Sequence, residues 1–230
     1  MSVAFPSWFI ENILARRGRQ HVFDALEPRR TALLVVDMQN AWLQPGAPWE
    51  VQTARAIVPN VNRLARALRE HGGVVAWLQA TNTSAGPDAW PMFFDHFTSA
   101  ANREAGENAL APGSPFHALY AELEVLPQDP CVRKRRFSPF IAGSSNLEAL
   151  LRDRAIDTVI ITGTRTNVCC ETTARDAMML DFKAVMVSDA TAAASELEQM
   201  AGLMTVFQVF GDVRTTDEVV ALIEQGAAVR

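Results

Sequence analysis

The sequence contains little cysteine, which excludes a fold held together by disulfide bonds. Only three of its 230 residues are cysteine, and two of these, Cys169 and Cys170, are adjacent. An odd number of cysteines with an adjacent pair does not form a disulfide framework. A protein of a reducing compartment fits this composition best, so we expect a cytoplasmic location.

Long apolar runs and known cofactor fingerprints are also missing. No stretch reaches the roughly 20 apolar residues of a membrane-spanning helix, and residues 1–20 lack the uninterrupted apolar core of a signal peptide. No G-x-G-x-x-G follows a predicted strand. The formal net charge of −5 argues against general nucleic-acid binding. We therefore expect no membrane partner, no nucleic-acid partner and no cofactor.

Continuous apolar runs are present, and they predict strands that are buried on both faces. They lie at residues 31–36, 74–78, 158–162 and 184–187, and shorter strands are predicted at 131–133 and around 212–214. Segments with helical periodicity separate these strands. This alternation predicts a three-layer α/β/α fold with a central six-stranded, mostly parallel sheet.

The length of the chain suits a single domain covering residues 1–230. Residues 1–30 form a predicted N-terminal arm with an amphipathic helix near residues 7–18. Residues 81–128 form a predicted insertion, rich in glycine, proline and aromatic residues in its first half, with a short helix at 115–123. Long irregular segments in compact domains tend to be functional, so we expect this insertion to shape a pocket or an interface.

Three side chains with useful chemistry follow predicted strands: Asp37, Lys134 and Cys169. The carboxyl ends of parallel strands meet at one edge of a sheet, where open α/β proteins place their sites. Cys169 also lies near the start of a predicted helix, whose free amides and dipole favour a thiolate. Such a set suits acyl transfer, in which the thiolate attacks, Asp37 moves a proton, and Lys134 stabilises charge and keeps the thiol ionised. The alternatives are a buried structural cysteine and a strand-end cap.

Several further residues have predicted roles near this edge. The backbone amides of Arg165, Thr166 and Cys169 are expected to hold an oxyanion. Cys131 and Cys170 are predicted to be core residues. Candidates for substrate binding, chosen by position, are Gln39, Asn40, Trp42, Trp90 and Phe93.

Three motifs resemble the isochorismatase-like cysteine hydrolase superfamily in that family's order. They are LVVDMQN at residues 34–40, KRRFSPF at 134–140 and GTRTNVC at 163–169. The resemblance implies a catalytic set of Asp37, Lys134 and Cys169, with Cys169 as the nucleophile. It also implies a cis peptide bond between Arg165 and Thr166, and assembly as a homodimer or homotetramer.

The resemblance also implies a reaction class. Members with this cysteine hydrolyse carbon–nitrogen bonds through a thioester, whereas members that cleave the vinyl ether of isochorismate lack it. Residues 81–83 (TNT) lack the Asp-x-His metal site of nicotinamidases, so no catalytic metal is expected. Residues 166–176 resemble ureidoacrylate amidohydrolases, whereas residues 40–46 and 57–61 resemble N-carbamoylsarcosine amidase. We expect a small linear amide, ureide or carbamoyl substrate. Ether hydrolysis and a non-catalytic interaction protein are the alternatives.

Overall fold

A six-stranded sheet forms the centre of the computed structural model, which describes residues 4–83 and 85–228. The strand order is β3-β2-β1-β4-β5-β6, and every neighbouring pair is parallel. The predicted α/β fold is thus confirmed, with a sheet that is wholly parallel. The strands are β1 (Thr31–Val36), β2 (Val74–Ala80), β3 (Cys131–Lys134), β4 (Thr158–Thr164), β5 (Lys183–Ala192) and β6 (Asp212–Arg214).

The strand register brings the carboxyl ends of the first four strands to the same edge. Val36 at the end of β1 pairs with Leu78 of β2 on one side and with Gly163 of β4 on the other. Ala80 at the end of β2 pairs with Lys134 at the end of β3. After β1 the chain forms β2 on one side of β1, and it later forms β4 on the opposite side of β1. The edge between β1 and β4 is therefore a topological switch point, where such sheets form crevices.

Helices cover both faces of the sheet and produce two apolar cores. Alternate side chains of β1 point to opposite faces, so Leu33 and Val35 pack in one core and Leu34 and Val36 in the other. This burial on both faces explains the continuous apolar runs. The helices are α1 (Ser7–Arg17), α2 (Asn40–Leu43), α3 (Val58–Glu70), α4 (Pro91–His96), α5 (Ala100–Leu110), α6 (Leu147–Asp153), α7 (Glu171–Met179), α8 (Glu196–Thr205) and α9 (Thr216–Ala228).

The predicted helix of the N-terminal arm is confirmed as α1. Its side chains Phe9 and Ile13 are buried in the second core, and the ring of Phe9 lies 6.3 Å from that of Phe207. Residues 1–3 of the predicted arm, residue 84 of the predicted insertion and residues 229–230 lie outside the described part of the chain. Among the described residues, no helix combines the length and apolar character needed to cross a membrane.

The prediction of a short helix at residues 115–123 is wrong, because this segment pairs with the chain that follows β1. The amides of Asn40 and Ala41 donate to the carbonyls of Ala118 and Phe116, and the amide of Tyr120 donates to Met38. These bonds, with an antiparallel bridge between Gln39 and Leu119, hold the segment as a series of turns beside residues 38–41. The helices of the insertion are instead α4 and α5.

Candidate active site

Asp37 follows β1 directly and is fully buried. Its φ of +51° lies in the left-handed region, which residues other than glycine seldom occupy and which is typical of functional sites. Two backbone bonds fix this geometry. The Asp37 amide donates to Leu78 O at 3.0 Å, and its Oδ1 accepts from the Ala80 amide at 3.0 Å. The carboxylate is therefore held rigidly at the carboxyl end of β2.

Lys134 is the last residue of β3, and only 1% of it is exposed. Its Nζ lies 2.9 Å from Asp37 Oδ2. The same nitrogen donates to Arg136 O at 3.2 Å and to Cys169 Sγ at 3.5 Å. The ammonium thus contacts both other candidate groups.

Cys169 lies in a single π-helical turn, Thr166–Cys170, which joins β4 to α7. The side chain is buried, its Sγ accepts a hydrogen bond from Lys134 Nζ, and the charge of the Asp37 carboxylate acts on the thiol. The structure therefore brings Asp37, Lys134 and Cys169 together at the edge where the strand pattern placed them. Their catalytic roles remain predictions.

Burial controls the protonation of these groups. Burial raises the pKa of Asp37, against the opposing effect of Lys134. Burial alone would lower the pKa of Lys134. The interactions of its ammonium with Asp37 and Cys169 outweigh this effect, so the pKa of Lys134 is raised. Burial and then the charge of Asp37 raise the pKa of Cys169 to about 12. The expectation that Lys134 and the helix start keep this thiol ionised is therefore wrong, because desolvation opposes the thiolate.

The turn before Cys169 differs from expectation in one respect. The cis peptide bond joins Thr164 to Arg165, one residue earlier than the expected bond between Arg165 and Thr166. Strand β4 continues to Thr164, two residues beyond its predicted end, so the cis bond lies directly at the end of the strand. Arg165 then precedes the π-helical turn that contains Thr166 and Cys169. The role of the backbone amides of Arg165, Thr166 and Cys169 as hydrogen-bond donors to an oxyanion remains a prediction.

A cavity of about 280 Å³ opens beside these groups. Both Lys134 and Cys169 contribute to its wall, so a bound molecule can reach the thiol. Most of the remaining wall is aromatic or aliphatic. The other lining residues are Trp42, Trp49, Ala80, Asn82, Trp90, Phe93, Phe94, Leu110, Arg136, Phe137, Arg165 and Val168.

The five predicted substrate-binding residues separate into two groups. Trp42, Trp90 and Phe93 line the cavity, although their binding of substrate is still a prediction. Gln39 and Asn40 do not line it. The Gln39 amide is buried and bonded to both the N–H and the carbonyl of Ala80. The side chain of Asn40 donates to Pro115 O at 2.8 Å. Both amides connect the segment after β1 to its neighbours.

Sequence reasoning did not place several lining residues, among them Trp49, Asn82 and Phe137. Phe137 lies within the lysine motif, and Trp49 lies in the aromatic loop after β1, so local signals existed for both. Asn82 was noted only within residues 81–83, where the Asp-x-His metal site is missing, and nothing in the sequence pointed to a place in the cavity wall. Its position is set by β2, which carries it past Lys134 to the cavity wall.

The other two cysteines behave differently from each other. Cys170 is fully buried, as expected. Cys131 was expected in the core but is exposed, because β3 is the edge strand and this side chain faces outward. Within the described ranges, no cluster of three or more His, Cys, Asp or Glu side chains has a geometry suited to a metal ion.

Comparisons with known proteins agree with this architecture. A model of the isochorismatase domain matches residues 31–218. A cysteine hydrolase from Pseudomonas syringae pv. phaseolicola is 32% identical, with a TM-score of 0.81 over 90% of this chain and 99% of that one. An isochorismatase family protein from Desulfovibrio vulgaris is 28% identical, with a TM-score of 0.71 over 84% and 99% of the two chains. N-carbamoylsarcosine amidase from Thermoplasma acidophilum shares the fold at 23% identity, with a TM-score of 0.65 over 82% and 97%.

Proposed function

The chain belongs to the isochorismatase-like cysteine hydrolase family, and from this premise we propose that it hydrolyses a carbon–nitrogen bond. The proposed substrate is a small amide, ureide or carbamoyl compound, and the proposed intermediate is a thioester on Cys169. One observation carries the proposal: a buried lysine ammonium lies 2.9 Å from a buried carboxylate and 3.5 Å from a buried thiol. A neighbour with the same fold, N-carbamoylsarcosine amidase, indicates that the fold is compatible with carbamoyl chemistry.

In the first half of the proposed reaction, Cys169 Sγ attacks the carbonyl carbon while its proton passes to Asp37. A raised pKa makes this carboxylate a better base than an exposed one, because proton transfer improves as the two pKa values approach each other. The Lys134 ammonium lies 3.5 Å from Sγ and stabilises the negative charge that develops there. The C–N bond then breaks, and Asp37 returns the proton to the leaving nitrogen.

In the second half, water attacks the thioester carbon and Asp37 accepts a proton from it. The C–S bond breaks, and Cys169 recovers its proton from Asp37. The acid product leaves, and every group returns to its starting state. The positive charge of Lys134 stays beside Asp37 throughout, which stabilises the carboxylate in a site that would otherwise disfavour it.

Replacing the nucleophile tests this proposal. A screen of amides, ureides and carbamoyl amino acids for ammonia release identifies a working substrate, and Cys169→Ala is then expected to lower kcat by at least about 1,000-fold, because the covalent route is lost. Cys131→Ala is the matched control, since this exposed thiol lies outside the cavity. Retention of turnover by Cys169→Ala, with ammonia still released, would refute the mechanism.

A further inference from the structure

The aromatic walls of the cavity form a rigid set of flat surfaces. The ring of Trp90 stacks on Phe93 with centroids 5.0 Å apart. Phe137 packs its edge against both, at 4.7 Å and 5.5 Å. Rings held against each other in this way bind planar apolar groups at little entropic cost. A short linear amide would leave much of this surface without contacts.

One residue of the cavity wall has a buried polar atom with no partner among the described residues. It is Oδ1 of Asn82, a residue that is only 5% exposed. Buried polar atoms in native proteins are almost always hydrogen-bonded. This oxygen is an acceptor, so it suits a ligand with an N–H, which an amide or carbamoyl group has. Nε1 of Trp49 is also without a partner there, but it lies against Gly106 of α5 and not towards a ligand.

One positive charge on the cavity wall, that of Arg136, is not paired with a carboxylate of the described residues. The other two cations of the wall are paired, Lys134 with Asp37 at 2.9 Å and Arg165 with Glu198 at 2.8 Å. In the part of the chain that the structure describes, Arg136 has no carboxylate partner. Its Nη1 donates to Arg135 O at 2.6 Å and to Ala89 O at 3.5 Å.

The position of Arg136 is also fixed against the aromatic wall. Its guanidinium carbon lies 5.1 Å from the Trp90 ring centroid. The neighbouring Arg135 differs, because it pairs with Asp88 and lies outside the cavity lining. The wall therefore carries one held guanidinium that is free to pair with an anion next to the flat rings.

From these features we propose that the substrate carries both a planar apolar group and a carboxylate. The planar group lies against Trp90, Phe93 and Phe137, and the carboxylate pairs with Arg136. Asn82 Oδ1 accepts a hydrogen bond from an N–H of the substrate. This inference rests on the proposed function for the bond that is cleaved, and it specifies the rest of the molecule. A volume of about 280 Å³ is just below the roughly 300–1,000 Å³ of drug-sized pockets and suits a single ring.

Three matched ureido compounds test the two features separately. N-carbamoylphenylalanine has the ring and the carboxylate, N-carbamoylglycine has only the carboxylate, and phenethylurea has only the ring. The first is expected to show kcat/KM at least about tenfold above each of the others, because each lacks one buried contact. Equal values for all three, or a preference for N-carbamoylglycine, would overturn the inference.

Substitution of the guanidinium gives a second, independent test. Arg136→Gln is expected to lower kcat/KM for N-carbamoylphenylalanine by about 10- to 100-fold, mainly through KM, because a charged pair is lost. The same variant should change kcat/KM for phenethylurea by less than about threefold, because this compound has no carboxylate. Arg135→Gln is the matched control and should affect neither. An equal loss on both compounds would contradict carboxylate recognition by Arg136.

Binding measurements separate this inference from the proposed reaction. Calorimetric titration of Cys169→Ala with the three compounds needs no turnover. If none is hydrolysed by the wild type but N-carbamoylphenylalanine binds most tightly, the proposed cleavage is wrong and the recognition inference stands. If all are hydrolysed without preference, the cleavage stands and the inference fails. If none binds and none reacts, the inference also fails.

Discussion

Cys169 lies in surroundings that oppose its ionisation. It is buried, and the nearest negative charge is the Asp37 carboxylate, so its pKa is raised to about 12. This side chain therefore rests as a neutral thiol at physiological pH. In the proposed reaction its activation accompanies proton transfer to Asp37. This arrangement avoids a reactive thiolate before the substrate arrives.

Removing the charge of Asp37 tests this arrangement. In Asp37→Asn the turnover is expected to disappear, because the base is lost. At the same time the pKa of Cys169 should fall, because a negative charge is removed and Lys134 remains nearby. Alkylation of Cys169 by iodoacetamide at neutral pH should therefore become faster, by about tenfold for each pKa unit. Peptide mass spectrometry measures the rate at each cysteine.

Cys131 provides the internal control, since it is exposed and distant from Asp37 in the sheet. Its alkylation rate should be the same in both proteins. In the wild type, kcat/KM should fall as the pH drops through the raised pKa of Asp37, because the base becomes protonated. Slower or unchanged labelling of Cys169 in Asp37→Asn would contradict a thiol held neutral by Asp37.

The contact between strands β1 and β4 positions the site. Gly163 of β4 has a φ of +103°, and a Cβ at this position would lie 2.1 Å from Val36 O. Val36 is the residue directly before Asp37. Strand β4 can therefore approach the end of β1 only because residue 163 has no side chain. This approach sets the distance between Asp37 and the turn that contains Cys169.

Gly163→Ala should therefore damage both the site and the fold. The new methyl group displaces the end of β1, so we expect a loss of about 2–4 kcal/mol in the free energy of unfolding and a fall in kcat of at least about 100-fold. Urea unfolding and steady-state kinetics measure the two effects.

Gly143 offers a matched control for the backbone effect alone. Its φ is +79°, also left-handed, but no atom lies within 4 Å of a Cβ built there. Gly143→Ala should cost about 1 kcal/mol from backbone conformation only and leave kcat unchanged. If the two alanine variants lost the same stability and activity, close packing of β4 on β1 would not be what positions Asp37.

At the scale of the whole molecule, the sequence predicts the sheet and the convergence at its edge but not the cavity. Continuous apolar runs marked the central strands. Because the carboxyl ends of parallel strands lie at one edge of the sheet, Asp37, Lys134 and Cys169 could be placed together. The edge strand was predicted, but its place at the edge was not, and Cys131 was wrongly assigned to the core.

The cavity wall and the protonation states depend on long-range packing. Trp49, Asn82 and Phe137 come from three separate loops, and only the tertiary fold brings them to one wall. The path of residues 116–120 depends on backbone bonds to residues 38–41, which local helical preference does not reveal. The raised pKa of Cys169 follows from its burial and from the nearby Asp37, whereas the sequence showed only a helix start.

The N-terminal arm is joined to the far edge of the sheet by one buried carboxylate. Asp212 in β6 is fully buried. It lies 3.1 Å from His21 Nδ1 and 3.3 Å from Arg214 Nε, and it accepts bonds from the amides of Val22 and Phe23. The arm thus passes beside the edge strand β6, and covering such an edge protects it from pairing with other chains.

Asp212→Ala should release the arm from the sheet. Its removal leaves the half-buried Arg214 and the amides of Val22 and Phe23 without this partner, so we expect the free energy of unfolding to fall by about 1–3 kcal/mol. Amide hydrogen exchange in residues 7–23 should accelerate more than exchange in β1. Asp24→Ala is the matched control, because this exposed carboxylate pairs with Arg19 at the surface and such pairs contribute little. Unchanged protection of residues 7–23 in Asp212→Ala would show that apolar packing of α1, and not this carboxylate, holds the arm in place.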